Sequence, residues 1–382
     1  MSWASRKWLV MVLGMVLAAC TTTVPPPVVV PPTPAFAVSK WEMLPDWQSL
    51  DIALSWPAFL ESCDALKNKP HWQDICTAAA QVAPGDSAAQ RAFYEQWFVP
   101  YQVYNPDGSD QGLITGYYEP MLHGSRVKTR RYRYPLYGEP DDLLTIDLSD
   151  VYPQLKGMRL RGRLEGKRVV PYYDRAGIDA RPKSLKGHVL FWVDNPVDLF
   201  FLQVQGSGRI ALPDGTQVRV GYANQNGYPY VSIGRKLVEM GEMTLDQASM
   251  QSIKDWAEKN PDKLPALLEQ NPSYVFFRIL PDGLNGPVGA LGVPLTGASS
   301  LAVDRSIVPL GAPVFLATTE PDSNVPLNRL MLAQDTGGAI KGPVRADFFW
   351  GSGDQAGEEA GRMKQMGKMW VLFPKGAEPV LN

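Results

Sequence analysis

The stretch MLAQDTGGAIKGPVRADFFWGSG, residues 331–353, carries two aspartates twelve positions apart, Asp335 and Asp347, each followed by a distinctive group. Thr336, Gly337 and Gly338 follow the first, where small residues let the backbone turn tightly or approach a ligand closely. Phe348, Phe349 and Trp350 follow the second, so the Asp347 carboxylate is expected beside bulky apolar surface. Burial of that kind raises a carboxyl pKa, because it penalises the charged form. A general acid working near neutral pH needs that shift. The same spacing would serve a plain surface turn after a strand, and the rest of the chain has to decide.

The N-terminus points to a compartment. Arg6 and Lys7 precede an apolar run from Trp8 to Ala19, which closes in Leu17-Ala18-Ala19-Cys20. A basic start, a short apolar core and small residues before a cut site make a secretory signal over residues 1–19. The run is well short of the roughly 20 residues that span a bilayer. Leu-Ala-Ala-Cys resembles a bacterial lipobox, which makes Cys20 the lipidated first residue of the mature chain. Thr21 follows, not the aspartate of an inner-membrane retention signal, so the expected location is the outer membrane, lipid-anchored and facing the periplasm. Several acyl chains make such anchoring stable. Residues 20–44 hold this cysteine and a proline-rich tether, TTTVPPPVVVPPTPAFAVSK over 21–40. Prolines at that density favour extended geometry and build no core.

Composition removes several function classes. A net charge of -2 over 382 residues gives no polybasic field, so nucleic acid is not an expected partner. Cys63 and Cys76, the two cysteines besides Cys20, are spaced to close a small disulfide loop in an oxidising periplasm, and they could equally stay reduced. The three histidines, His71, His123 and His188, sit in unrelated contexts and read as surface or structural residues. Paired-histidine zinc sites and Cys/His or Ser/His nucleophile machinery lack their motifs, so no metal and no cofactor are expected. Carboxylate chemistry is what remains.

Short β-prone runs punctuated by glycine and proline dominate: LITGYYEP, KGHVLFWV, LFFLQVQGSGRI, SYVFFRIL, APVFLAT and KMWVLFP. They predict a mainly β chain of small barrels. Helices are expected over 86–99, with Asp86 or Ser87 as N-cap, and from the capping-box pattern at Thr244 toward Trp256. A further helical piece is expected over 265–270. Three segments look like parts of a site. LITGYYEP contributes Thr115, Tyr117 and Glu119. LFFLQVQGSGRI, read as a strand with Gln203 and Gln205 on one face, adds Ser207, and GYPYVSIGR adds Tyr228. Aromatic faces and amides of this kind suit sugar polymers, although strand interior and turn explain each segment equally well.

Together, TGYYEP, QVQGSG, YVSIGR, LLEQNPSYVFF, VDRSIVPLG and QDTGGAIKGPVRADFFWGSG resemble the membrane-bound lytic murein transglycosylase A family over residues 110–372. The resemblance implies a double-psi β-barrel catalytic domain, residues 45–120 and 273–382, with a second small β-barrel domain, 121–272, inserted to form the other wall of a glycan groove. It implies Asp347 as the catalytic acid and Asp335 as a supporting carboxylate. The implied reaction cleaves the β-1,4 bond between N-acetylmuramic acid and N-acetylglucosamine in peptidoglycan and leaves 1,6-anhydromuramoyl ends. Thr115, Tyr117, Gln205, Ser207 and Tyr228 are the expected substrate contacts, and glycan strands and wall-remodelling proteins the expected partners. Glu119 would either assist at the groove or lie solvated in its turn. Two other readings stay open: an inverting polysaccharide hydrolase of similar barrel fold, which needs a second carboxylate to activate water, and a non-catalytic wall-binding lipoprotein.

Overall fold

The computed structural model describes residues 35–377 and 379, apart from 156, 157, 159 and 246. The signal segment, Cys20 and the tether before residue 35 lie outside the described residues. The chain opens with β1 (Phe36–Val38), the helices α1 (Trp56–Leu66), α2 (Gln73–Ala79) and α3 (Ser87–Trp97), then β2 (Phe98–Val103) and β3 (Gly112–Glu119). It continues through β4 (Met121–Ser125), β5 (Tyr134–Tyr137), β6 (Leu144–Thr145), β7 (Arg161–Glu165), β8 (Arg168–Pro171), α4 (Arg175–Asp179) and β9 (Val189–Val193). Next come α5 (Pro196–Gln205), β10 (Ser207–Ala211), β11 (Gln217–Gln225), α6 (Ile233–Glu239), α7 (Met250–Lys259), α8 (Leu264–Leu268) and β12 (Val275–Ile279). The closing segment is β13 (Ser300–Val303), β14 (Pro313–Thr319), β15 (Pro326–Asp335), β16 (Ala346–Ser352), α9 (Asp354–Arg362) and β17 (Lys364–Pro374).

Two barrels result. Strands β17, β14, β15, β13, β16 and β3 pair in that order, and β3 returns to β17, closing a ring to which β2 and β1 are appended. Strands β12, β11, β10, β4, β9 and β5 form the second sheet, and the bridge between Gly138 and Phe277 brings its two edges together. Closure removes the exposed edges that would otherwise pair with other chains. Strand β12 therefore belongs to the second barrel, so the exchange between barrels falls after Ile279 and not at 272 as the sequence suggests.

The packing of β15 accounts for its unbroken apolar run, residues 330–333. Leu327, Met331 and Ala333 face the interior of the first barrel, while Leu330 and Leu332 face outward. The outer face is covered by α1–α3, whose Trp56, Phe59, Phe93 and Tyr94 stack edge to face. A strand buried on both faces loses the polar alternation of a surface strand. Asp86 caps α3 by accepting from the Ala89 N–H at 2.9 Å, as its sequence predicts. Helices α1 and α2 form no side-chain cap bond and escape the sequence pattern, although Pro57 stands in the first turn of α1; here they are joined by a Cys63–Cys76 disulfide. Helix α1 also reaches the site, since its Ser62 and Ala58 both accept from the side chain of Gln334, the residue before Asp335.

Two predicted elements differ. LFFLQVQ is a helix, not a strand. Asn195 accepts from the N–H groups of Val197 (2.8 Å) and Asp198 (3.3 Å), Pro196 occupies the first turn, and Gly206 ends the helix in left-handed backbone (φ 80°). Those end signals outweigh the apparent alternation, because caps satisfy backbone groups that an uncapped helix leaves open. At Thr244 only half of the expected capping box forms, with Gln247 Oε1 accepting from the Thr244 N–H at 3.2 Å, and the result is a turn. The helix begins at Met250, capped by Ser249.

The barrels meet at Glu119, the last residue of β3 before the chain crosses at Pro120. Its side chain is fully buried (0% exposed). It accepts from Arg209 of β10 at 2.8 Å, from Arg219 of β11 at 2.6 Å and from the Ser352 hydroxyl of β16 at 2.6 Å. Glu119, which the sequence leaves open between a groove role and a solvated turn, is therefore the centre of a buried ion cluster. Removing one partner of such a cluster leaves uncompensated buried charge. Glu119→Gln should destabilise the protein by about 3–5 kcal/mol, read as a lowered urea midpoint; a midpoint equal to the parent's would show that the cluster does not hold the barrels together.

Candidate active site

The register of three strands assembles the two aspartates. Strand β16 runs parallel to β3 with Asp347 beside Thr115, and antiparallel to β13 with Asp347 beside Ala302. Strand β13 also runs parallel to β15, where a bulge after Leu301 places Ala302 beside Asp335. A single alanine thus separates two carboxylates that lie twelve residues apart in the chain. The loop between them passes the end of β13 and is fixed there by the Gly342 N–H, which donates to Asp304 at 3.0 Å.

Each aspartate has its own set of partners. Asp335 accepts from the Tyr117 hydroxyl at 3.2 Å through Oδ2 and from the Ala290 N–H at 3.0 Å through Oδ1. The second bond depends on Gly289, whose missing Cβ would stand 2.6 Å from the carbonyl oxygen of Gln334. Asp347 accepts from the Thr115 hydroxyl at 2.6 Å through Oδ1, and Arg345 donates to that same hydroxyl at 2.9 Å. Among the described residues no hydrogen bond reaches Oδ2 of Asp347. Phe349, next on the same face of β16, packs on Tyr117 with ring centroids 5.0 Å apart.

Burial pushes both acids up. Asp335 is raised from 3.8 to about 6, mainly by desolvation; its hydrogen bonds from Thr336, Ala290 and Tyr117 oppose the rise, and the charge of Asp347 adds to it. Asp347 is also raised by desolvation, with Thr115 and Arg345 pulling the other way. Tyr117 is held well above its ordinary value by burial and by the two neighbouring carboxylates, so it stays a hydrogen-bond donor. This pair of groups can store and release a proton near neutral pH.

A groove of about 560 Å³ opens beside Asp335. Residues 335–339 and Ala290 of the first barrel line one wall, and Gln205, Ser207, Tyr222 and Tyr230 of the second barrel line the other. The expected contacts Gln205 and Ser207 are therefore at the groove. Thr115 and Tyr117 are not on its lining; they serve the two carboxylates. Asp347 is not among the lining residues and lies two strands from Asp335, across β13, and Tyr228 lies outside the lining, two residues from Tyr230. Glu119 is committed to the ion cluster. Arg345, Ala290, Gln334 and the groove arginines were not singled out in the sequence, although the glycines of GPVGALG, residues 286–292, announce the close approach that presents Ala290.

Comparisons with known proteins agree with this architecture. Residues 113–278 match the family model described as the MltA specific insert domain, and residues 299–373 match the 3D domain. The protein of Escherichia coli strain K12 named membrane-bound lytic murein transglycosylase A is 35% identical over 298 residues, which cover 76% of this chain and 72% of that one. The chain belongs to the membrane-bound lytic murein transglycosylase A family. Its structure matches the monoclinic crystal form of MltA from Neisseria gonorrhoeae with a TM-score of 0.79 and 42% identity, covering 92% of this chain and 98% of the other. It also matches E. coli MltA with bound chitohexaose, with a TM-score of 0.67 and 29% identity over 89% of this chain and 94% of that one. A member of the lytic transglycosylase A family is an enzyme, which sets aside the binding-only reading.

The raised acid carries a stability consequence. An acid with a folded pKa of about 6 against 3.8 binds its proton more tightly in the native state. The stability it contributes is complete below pH 3.8 and is lost as pH rises through 6. Asp335→Asn keeps the side-chain shape and removes that loss. The variant should be more stable than the parent above pH 7 by an amount on the order of 1–3 kcal/mol, with the gain fading below pH 4, as measured by denaturant unfolding across pH. An equal difference at all pH values would disprove the linkage.

Proposed function

We propose that the chain is an envelope-anchored lytic transglycosylase that cleaves the β-1,4 bond between N-acetylmuramic acid and N-acetylglucosamine in peptidoglycan, with Asp347 as acid and then as base. The observation that carries the reading is the asymmetry of the two carboxylates. Asp335 has both oxygens taken by fixed donors, whereas Asp347 has one taken and Oδ2 open. An open oxygen on a carboxyl whose pKa burial has raised is suited to hold a proton and hand it over.

Protonated Asp347 donates to the glycosidic oxygen as positive charge develops at C1 of the muramoyl sugar. The leaving N-acetylglucosamine carries that proton away as a hydroxyl. The Asp347 carboxylate then takes the proton of the C6 hydroxyl on the same muramoyl sugar. The freed oxygen bonds to C1 and closes a 1,6-anhydro ring, so no water is consumed and Asp347 ends protonated. Tyr117 and the Ala290 N–H hold Asp335 as a fixed neighbour, and once Asp347 is ionised its charge favours the protonated form of Asp335. Gln205 and Ser207, with Tyr222 and Tyr230, offer amide, hydroxyl and aromatic surface to the sugars along the groove. The chitohexaose bound by the E. coli relative supports a glycan occupant. An inverting hydrolase would need a carboxylate free to activate water; the engagement of Asp335 and of Glu119 favours the internal nucleophile. The signal over residues 1–19, lipidation at Cys20 and the tether place this chemistry, in our reading, on the periplasmic side of the outer membrane, within reach of wall-remodelling partners. We read the first barrel as of the double-psi kind, which its closed ring of mixed parallel and antiparallel strands supports.

Mass spectrometry of purified peptidoglycan digested by the chain begun at Thr21 tests the reaction. Fragments one water lighter than hydrolysis products are expected, and ordinary reducing ends would make it a hydrolase. Asp347→Asn should fold and bind glycan while losing about 10²–10⁴-fold in rate; near-parental turnover would remove Asp347 from the mechanism. Parental activity should fall as pH rises through the raised Asp347 pKa, because the first step consumes its proton.

A further inference from the structure

The groove holds three arginines, Arg175, Arg278 and Arg305, and among its lining residues Asp335 is the single acid. None of the three forms an ion pair among the described residues. Arg175 is the telling case, because it is buried (4% exposed). Its Nε donates to the Asn271 carbonyl at 3.0 Å, and its Nη2 donates to Gln203 Oε1 at 2.6 Å and to the Ser273 carbonyl at 2.7 Å. Phe200 and Tyr274 face the guanidinium, each with its ring centroid 4.9 Å away. Every hydrogen-bond partner is neutral, the charge of Asp179 on the same helix acts on the guanidinium only through space, and Nη1 bonds to nothing among the described residues. Taking a guanidinium out of water without a direct ion pair is costly, and a carboxylate that acts only through space compensates it in part.

Arg278 of β12 and Arg305, on the turn after β13, are exposed and make no side-chain hydrogen bond among the described residues. Their position is nevertheless defined. The backbone of Arg278 is held in the β11–β12 ladder opposite Gly221. Arg305 sits in a turn that Asp304 braces, accepting from Ser306 at 2.6 Å and from Gly342 at 3.0 Å. One cation comes from the first barrel and two from the second, so they border the groove from both sides. A chain with a formal net charge of -2 thus concentrates unpaired positive charge where the substrate would lie. A neutral sugar polymer has no use for it.

Resting on the transglycosylase reading, we infer that Arg175, Arg278 and Arg305 form a carboxylate-binding subsite that selects muramoyl glycan over neutral N-acetylglucosamine polymer. Two sources supply the carboxylate. A peptide-free strand presents the free lactyl carboxylate of muramic acid. In a peptide-bearing strand that carboxyl is consumed in an amide, and the stem's own free carboxylates take its place. Arginine binds either with bidentate, charge-assisted hydrogen bonds.

The test is equilibrium binding to the full mature chain carrying Asp347→Asn, with three probes: chitohexaose, a peptide-free murein hexasaccharide and its peptide-bearing counterpart. At low salt the two murein probes should bind at least about tenfold more tightly than chitohexaose, the scale of a charged hydrogen bond. The advantage should shrink toward 1 M salt. In Arg278→Gln with Arg305→Gln, exposed changes that leave the core intact, the loss on murein probes should exceed the loss on chitohexaose by about tenfold or more. Arg175→Gln should act in the same direction. A loss confined to the peptide-free probe identifies the lactyl carboxylate, and one that disappears when stem carboxylates are amidated identifies the peptide. Equal losses on all probes, or no preference for murein, would overturn the subsite. Mass spectrometry of the parental digest reads the reaction separately, so the transglycosylase can stand while the subsite falls.

Discussion

One face of β3 ties the molecule together, and Glu119 anchors it. Alternate residues of a strand share a face, so Thr115, Tyr117 and Glu119 point the same way. Thr115 meets Asp347, Tyr117 meets Asp335, and Glu119 meets the two arginines of the second barrel. A shift of one residue in the β3–β16 register would exchange this face for the other and detach all three contacts together. Because Glu119 has no exposed surface, its charge tolerates no loosening: water cannot replace Arg209 or Arg219 as they withdraw. The relative placement of catalytic carboxylates and opposite groove wall follows from that single requirement.

The acids themselves work against stability, and the surrounding packing offsets them. Desolvating Asp335 and Asp347 favours their protonated forms and penalises the fold at neutral pH. Directly beneath, Gln334 is fully buried with its amide shared among Ala58, Ser62 and Ser300. The aromatic cluster of α1–α3 fixes that network from outside the barrel. Rigid support below and perturbed carboxylates above are the usual relation between a scaffold and a preorganised site. It explains why an N-terminal helical layer with no residue at the groove lining sits against β15.

Much of this was legible in the chain because the informative residues are local. The two aspartates, the glycines after Asp335 and the aromatics after Asp347 lie within one stretch, and closely spaced β-prone runs implied barrels. The misreadings were also local. In NPVDLFFLQVQG the alternation of glutamines suggested a strand, while Asn195, Pro196 and Gly206 wrote a complete set of helix-end signals. What no single segment contained were the long-range pairings. Glu119 is separated from Arg209 and Arg219 by ninety and a hundred residues, and Thr115 from Asp347 by 232. A glutamate before proline looks like a turn until closure of the second barrel brings arginines onto it. The groove arginines were invisible for the same reason: each is an ordinary residue in its own segment, and only the fold shows them unpaired.

The charges of the groove have to satisfy two opposed demands. A site that draws in an anionic glycan benefits from guanidinium groups, yet a guanidinium close to a general acid lowers its pKa and removes the proton the first step needs. The structure separates the two. Arg345 is the one arginine that acts on Asp347, and its hydrogen bonds go to Thr115 and to the carbonyls of Leu113 and Ala346, not to the carboxylate. None of Arg175, Arg278 and Arg305 bears on the protonation of either aspartate. Two of them stand on the second barrel, across the groove from both acids. Placing the acids on one barrel and most of the attracting charge on the other lets burial set the carboxyl pKa while the groove stays positive. That division gives the inserted barrel a role in selectivity that the catalytic barrel could not take on without weakening its own acid.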